Sequence, residues 1–198
     1  MRIATKTLAG IIVLAALVVV FDYTLKYSGL KIPFPVPGLE FLTFDLTGIP
    51  IVLSLLLFGL VPGTFTSAIA VLAILARSGK FISSLMKGFA EFSTILGMFI
   101  GFKITKRFKL PSAFLLGIIT RVLVMTVANF ALIYFGLMPI PSAYMEIPLI
   151  YLSLTAIFNV IQGSISIVGG CLIYAAIRKR IPPLTKNAAV KLETGPNS

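Results

Sequence analysis

Uncharged apolar runs broken by short polar stretches organise this chain. Residues 7–21 carry no charge, and the apolar pattern resumes past Asp22 through 23–25, which predicts a first helix. It has no small-residue cleavage site, so it reads as a retained span and not a signal peptide. Residues 46–76 form an uncharged run of 31 residues interrupted by Gly59, Pro62 and Gly63. Residues 81–102, 110–136 and 147–177 are three further apolar runs, each long enough for the roughly 20 residues that cross a bilayer core.

The run 46–76 crosses either once or as a hairpin, and the basic residues decide. Arg2 and Lys6 precede the first helix, Lys103, Lys106, Arg107 and Lys109 follow the fourth, and Arg178, Lys179, Arg180, Lys186 and Lys191 follow the last. Basic residues collect on the cytoplasmic side. Only a hairpin, turning at Val61-Pro62-Gly63, puts all three clusters on one side. The expectation is one all-α membrane domain over 1–181, with six transmembrane helices and both termini in the cytoplasm. The polar tail 182–198, with Pro182 and Pro183, reads as disordered and in part a cloning remnant.

The opposite face carries Lys26, Lys31, Arg77 and Lys80 against Asp22, Glu40, Asp45 and Glu146, which balance. Its long loop, 27–45, holds Pro33, Pro35 and Pro37 among Phe34, Phe41 and Phe44. Prolines stiffen a loop, and the aromatics suggest that it folds over something.

Composition narrows the chemistry. The chain has 198 residues, 58% apolar and 12% charged, with mean hydropathy +1.06. Soluble domains carry about 25% charged residues, so lipid must replace the missing polar surface. The formal charge of +11 follows from the cytoplasmic clusters and does not indicate a nucleic-acid site. There is no histidine, which excludes serine–histidine hydrolysis and histidine-based zinc sites. Cys171 is alone and reads as a small packed hydrophobe. No phosphate-binding G-x-x-x-x-G-K-[ST] loop occurs, and no carboxylate motif for magnesium. No catalytic residue, metal site or cofactor is assigned.

Polar residues inside the spans are the remaining candidates, because they are costly there. Ser84, Lys87, Glu91 and Thr94 follow one another at spacings of 3, 4 and 3, and so share one helical face. Arg121, Met125 and Asn129 do so on the next helix, and Thr155, Asn159, Gln162 and Ser166 on the last. Three polar stripes facing one another would make a polar pocket. At about 1.5 Å per residue, Glu91, Asn129 and Asn159 come to one depth. Arg121, two turns deeper, reads as structural.

Several stretches resemble the substrate-binding S components of energy-coupling factor (ECF) vitamin transporters over about residues 8–180. They are Phe41-Leu-Thr-Phe-Asp45-Leu-Thr-Gly-Ile-Pro50, Leu57-Phe-Gly-Leu-Val-Pro-Gly63, Lys87-Gly-Phe-Ala-Glu91, Arg121-Val-Leu-Val-Met-Thr-Val-Ala-Asn129 and Phe158-Asn-Val-Ile-Gln-Gly163. The first and fourth look most like the riboflavin-specific group, RibU. The resemblance implies the S-component fold in the cell membrane, with a vitamin site near the outer surface under the loop between the first two helices. It also implies docking onto a transmembrane coupling subunit and two cytoplasmic ATPases. Riboflavin has an apolar ring end and a uracil-like edge that both donates and accepts. Asn129, Asn159 and Gln162 suit that edge. Lys87, Glu91 and Thr94 suit the ribityl hydroxyls. Phe41 and Phe44, with Thr43 and Asp45 beside them, would cover the ring. The alternatives are an S component for another vitamin or a flavin phosphate, and a membrane scaffold without a ligand.

Overall fold

The computed structural model describes residues 5–104, 108–138 and 140–181. The expectations for Arg2, Lys106, Arg107 and the tail 182–198 lie outside these residues. Six helices make up the bundle: α1 (Thr5–Tyr27), α2 (Gly48–Phe58), α3 (Leu60–Ser78), α4 (Phe81–Ile104), α5 (Lys109–Tyr134) and α6 (Pro148–Arg180). Between α1 and α2, strands β1 (Ile32–Pro33) and β2 (Thr43–Phe44) pair antiparallel.

Among the described residues five helices are long and apolar enough to cross a membrane, and the chain is a multi-pass membrane protein. The sixth, α2, has only 11 residues, about 16 Å of helix against a hydrocarbon core of about 30 Å. Every residue from Gly48 to Leu57 is buried. It is a short apolar plug enclosed by the other helices, which is why it needs no polar face.

The α2–α3 turn lies two residues before the place the sequence suggests. Gly59 alone links the helices, with φ +97°. One residue can reverse the chain here only in a backbone region open to glycine. Pro62 falls inside the first turn of α3, where its missing N–H has no intrahelical partner to lose.

Small residues set the α4–α5 distance. A Cβ on Gly97 would lie 2.3 Å from the Leu116 carbonyl oxygen, and one on Gly101 would lie 2.5 Å from the Ala113 Cα. Glycines four apart let two backbones approach closely. Beside this contact Val18, Ile51, Val52, Leu55, Ile95, Met98, Ala113 and Ile167 form the main core.

The outer loop is ordered by apolar packing. Phe34 and Leu39 are buried with Tyr151 and Phe158 of α6. Phe34 and Phe44 meet edge to face at 5.9 Å, and Phe44 stacks on Phe158 at 5.0 Å. Offset and edge-on ring pairs of this kind add about 0.5–1.5 kcal/mol each beyond burial. The loop is thereby fixed across the end of the bundle where α1 and α3 finish and α4 and α6 begin. The start of α1 and the Arg178–Arg180 cluster lie at the opposite end.

Candidate functional site

A cavity of about 530 Å³ lies under this loop. Its deep wall is Ala90, Arg121, Met125, Phe158 and Asn159, with Asn129 and Thr155 nearer the mouth, from α4, α5 and α6. Its roof is Phe41, Leu42, Thr43 and Asp45, and its mouth is framed by exposed Lys26, Lys80 and Ser83. The volume falls within the roughly 300–1,000 Å³ of small-molecule sites.

A continuous chain of ion pairs runs along one side. Arg77 of α3 grips both carboxylate oxygens of Asp22, which is fully buried in α1. Lys31 of the loop bonds Asp22 at 2.6 Å and approaches Asp45 at 3.8 Å. Lys87 of α4 donates to Asp45 at 2.9 Å and pairs with Glu91 at 3.0 Å. Arg121 of α5 closes the series on Glu91 at 3.2 Å. Each of the three carboxylates is shared by two cations. In a low-dielectric interior such sharing offsets part of the desolvation cost that an isolated charge would carry in full.

Asp45 fastens the loop. Its Oδ1 accepts from the Thr47 N–H (3.1 Å) and the Thr47 hydroxyl (2.6 Å). An aspartate bonding the N–H two residues on makes a turn of its own, here leading into α2. The Asp45 N–H donates to Gln162 Oε1 at 3.2 Å, and Gln162 Nε2 donates back to the Asp45 carbonyl at 2.9 Å. Burial pushes the Asp45 carboxyl up. The ammonium of Lys87, the Thr47 hydroxyl and Lys31 outweigh burial and bring it down to about 2.

Arg121 is where the structure departs furthest from the sequence reading. It is almost fully buried, and its Nε donates to Asn159 Oδ1 at 3.2 Å. Its Nη1 donates to Thr94 Oγ1 at 3.0 Å and to Glu91. It is therefore not remote from the polar cluster: it lines the cavity. The reason is depth. α5 ends at Tyr134, so Arg121 lies about 20 Å below its outer end, against about 15 Å for Glu91 in α4 and about 16 Å for Asn159 in α6. Asn129 is nearer the mouth, about 8 Å down, and donates to the Met125 carbonyl of its own helix at 2.7 Å. Gly163 of α6 leaves room for the arginine: a Cβ there would meet Arg121 Cδ at 2.9 Å. The Gly97-x-x-x-Gly101 spacing was the available signal that α4 and α5 meet closely enough for this contact.

The sequence-selected residues divide into two layers. Phe41, Thr43, Asp45, Lys87, Asn129 and Asn159 line the cavity. Glu91, Thr94 and Gln162 are buried behind it and hold Lys87, Arg121 and Asp45 in place. Phe44 lies in the aromatic cluster that pins the loop. Asp22, Lys31 and Arg77 were read only as surface charge, and nothing in the hydrophobic periodicity marks them as cavity residues. Glu91 Oε2 is, among the described residues, the buried side-chain N or O atom without a hydrogen-bond partner. It faces the first residue of α2, where a Cβ on Gly48 would lie 2.5 Å from it. The partial positive charge of a helix start suits a carboxylate there.

No family model matches the chain, and no curated protein sequence matches it. Among solved structures it is similar to the S component of a bacterial ECF transporter. The identity is 21%, the match covers 89% of this chain and 97% of that one, and the TM-score is 0.72. The likeness is one of fold: six helices in the S-component arrangement.

Proposed function

We propose that this chain is the substrate-binding subunit of an ECF-type importer and that it captures riboflavin in the cavity under the outer loop. The observation that carries the reading is the cavity's two-sided lining. Phe41, Leu42, Met125, Met138 and Phe158 offer apolar surface, while Thr43, Asn129 and Asn159 offer groups that donate and accept. A flat ring with an apolar end and a hydrogen-bonding edge needs both. The S-component fold supports the class, and the sequence resemblance to the riboflavin group supports the substrate.

In this reading Asn129 and Asn159 read the ring edge, Thr43 and Lys87 meet the ribityl hydroxyls, and Phe41 covers the ring. Glu91, Thr94, Gln162 and Phe44 act one step back, and Asp45, at the cavity's roof, fastens the loop and holds Lys87. A site built from fixed hydrogen-bond partners rejects analogues that leave those partners unpaired. Energy comes from a transmembrane coupling subunit and two ATPases, since this chain has no phosphate-binding loop. The reading is of a binding subunit in the cell membrane and assigns no chemistry to the chain.

The test is the absorption spectrum of detergent-purified protein, followed by a competition panel of water-soluble vitamins. A visible flavin band in the purified protein, or a rise in thermal midpoint with riboflavin and with no unrelated vitamin, supports the substrate. A colourless protein that another vitamin stabilises keeps the class and removes riboflavin. A protein that no vitamin stabilises favours a scaffold.

A further inference from the structure

The charge around the cavity does not balance. Six cations stand against three carboxylates, Asp22, Asp45 and Glu91. All three carboxylates are already shared between Lys31, Arg77, Lys87 and Arg121. Lys26 and Lys80, the two exposed lysines at the mouth, have no carboxylate partner among the described residues. Lys26 stands in the last turn of α1, and Lys80 immediately precedes α4. Both line the cavity together with Ser78 and Ser83, and the Ser78 hydroxyl accepts from the Lys80 N–H at 3.2 Å.

Cations in a last helical turn do complement the helix dipole, and that explains one lysine on α1. Lys80 follows the C-cap of α3, Gly79, so the dipole suits it as well; what the dipole does not explain is the convergence of both lysines with two serines on one cavity. The corner is also far from the deep wall. From Lys80 to Ala90 is ten residues, about 15 Å along α4. A ligand that fills the cavity must therefore be long, with its ring at Asn159 and its other end at the lysines.

We infer that Lys26 and Lys80 form a subsite for an anionic group, a phosphate monoester or a carboxylate, at the far end of the ligand. The inference rests on the proposed substrate-binding role and adds a selectivity to it. If the ring of riboflavin occupies the deep wall, its ribityl chain points to this corner, and a phosphate on the terminal hydroxyl arrives between the two ammonium groups. Charge-assisted hydrogen bonds to ionised acceptors are about twice as strong as neutral ones, and a site facing water on one side is spared full desolvation. Ser78 and Ser83 supply further donors to the same oxygens.

The experiment compares riboflavin with riboflavin 5′-phosphate on wild-type protein and on the Lys26→Gln/Lys80→Gln variant, by quenching of flavin fluorescence in a neutral detergent. The phosphate form is expected to bind wild type about tenfold tighter, a preference worth one charge-assisted contact, and the variant is expected to lose that preference. Equal affinities on wild type, or a preference that survives in the variant, overturn the inference. If neither flavin binds, the riboflavin reading fails by itself, and the subsite is decided with inorganic pyrophosphate. A saturable rise in thermal midpoint that the variant lacks supports it; no rise on wild type overturns it.

Discussion

The outer and inner halves of this bundle are built on opposite principles. The inner half packs apolar side chains around Gly97, Gly101 and Gly117, with helices close enough that a single added methyl group would collide. The outer half holds a cavity of about 530 Å³ and a chain of shared ion pairs. Tight apolar packing in a membrane is held by van der Waals contact and has one good arrangement. Shared charges around a cavity leave lone pairs and donors for a guest. Stability is concentrated below, and recognition above.

Substitutions that exchange these characters test the contrast. The largest effect is expected from Gly101→Leu. Its side chain would enter the backbone of Ala113, 2.5 Å from a bare Cβ, and overpacking costs about 1–3 kcal/mol or more. Little monodisperse protein should survive size-exclusion chromatography. A Gly101→Leu protein with wild-type yield and thermal midpoint would show that the inner half is not tightly packed.

Arg121→Met comes next. It leaves Glu91 with Lys87 as its one remaining cation and releases Asn159. Breaking a buried pair costs about 3–5 kcal/mol; the surviving Lys87 should keep the loss toward the lower end. Ligand affinity should fall more than tenfold. The double variant Arg121→Met/Glu91→Gln should recover thermal stability but not affinity, which separates the charge from the site. Recovery of both would make Arg121 purely structural.

Asn159→Ala should weaken riboflavin binding at least tenfold, about 1.4 kcal/mol, with a change of only a few degrees in thermal midpoint. The same change at Gln162 should act differently. It frees the Asp45 backbone, so the loop should become accessible to protease before affinity is lost. Limited proteolysis of the two variants side by side would show this, and equal cleavage of both would contradict the two-layer arrangement.

The smallest effect concerns pH. The Asp45 carboxyl is held at about 2, below its ordinary 3.8. A depressed pKa contributes stability that is complete above the unfolded value and is lost as pH falls through the folded one. The loop should therefore keep its protease resistance from pH 8 to about pH 4 and lose it only toward pH 2. Opening between pH 7 and 5 would mean that Asp45 is not the fastening.

Most of the helical frame was legible because hydrophobic length and basic clusters carry it. Three polar stripes follow from spacing, and six helices follow from run length together with the basic clusters. The α2–α3 turn was misplaced because Pro62 reads as a breaker, while at the third position of α3 it costs nothing. Arg121 was placed too far from the polar cluster because depth was measured from a helix end two residues too far out, and because a long cation in a span suggests snorkelling. The loop's aromatics announced that it folds over something, yet Phe34 and Leu39 could be recognised as its anchors only once Phe158 was beside them. Asp22, Lys31 and Arg77 were hidden because a charge near a helix end looks the same in sequence whether it faces water or a cavity.

The most direct test of the central claim is a titration of riboflavin with wild-type protein in detergent, followed by flavin fluorescence. Saturable quenching with one site per chain, at nanomolar to low micromolar riboflavin, is the predicted result. Fluorescence that stays unquenched across that range would contradict the account and leave the cavity to a different guest.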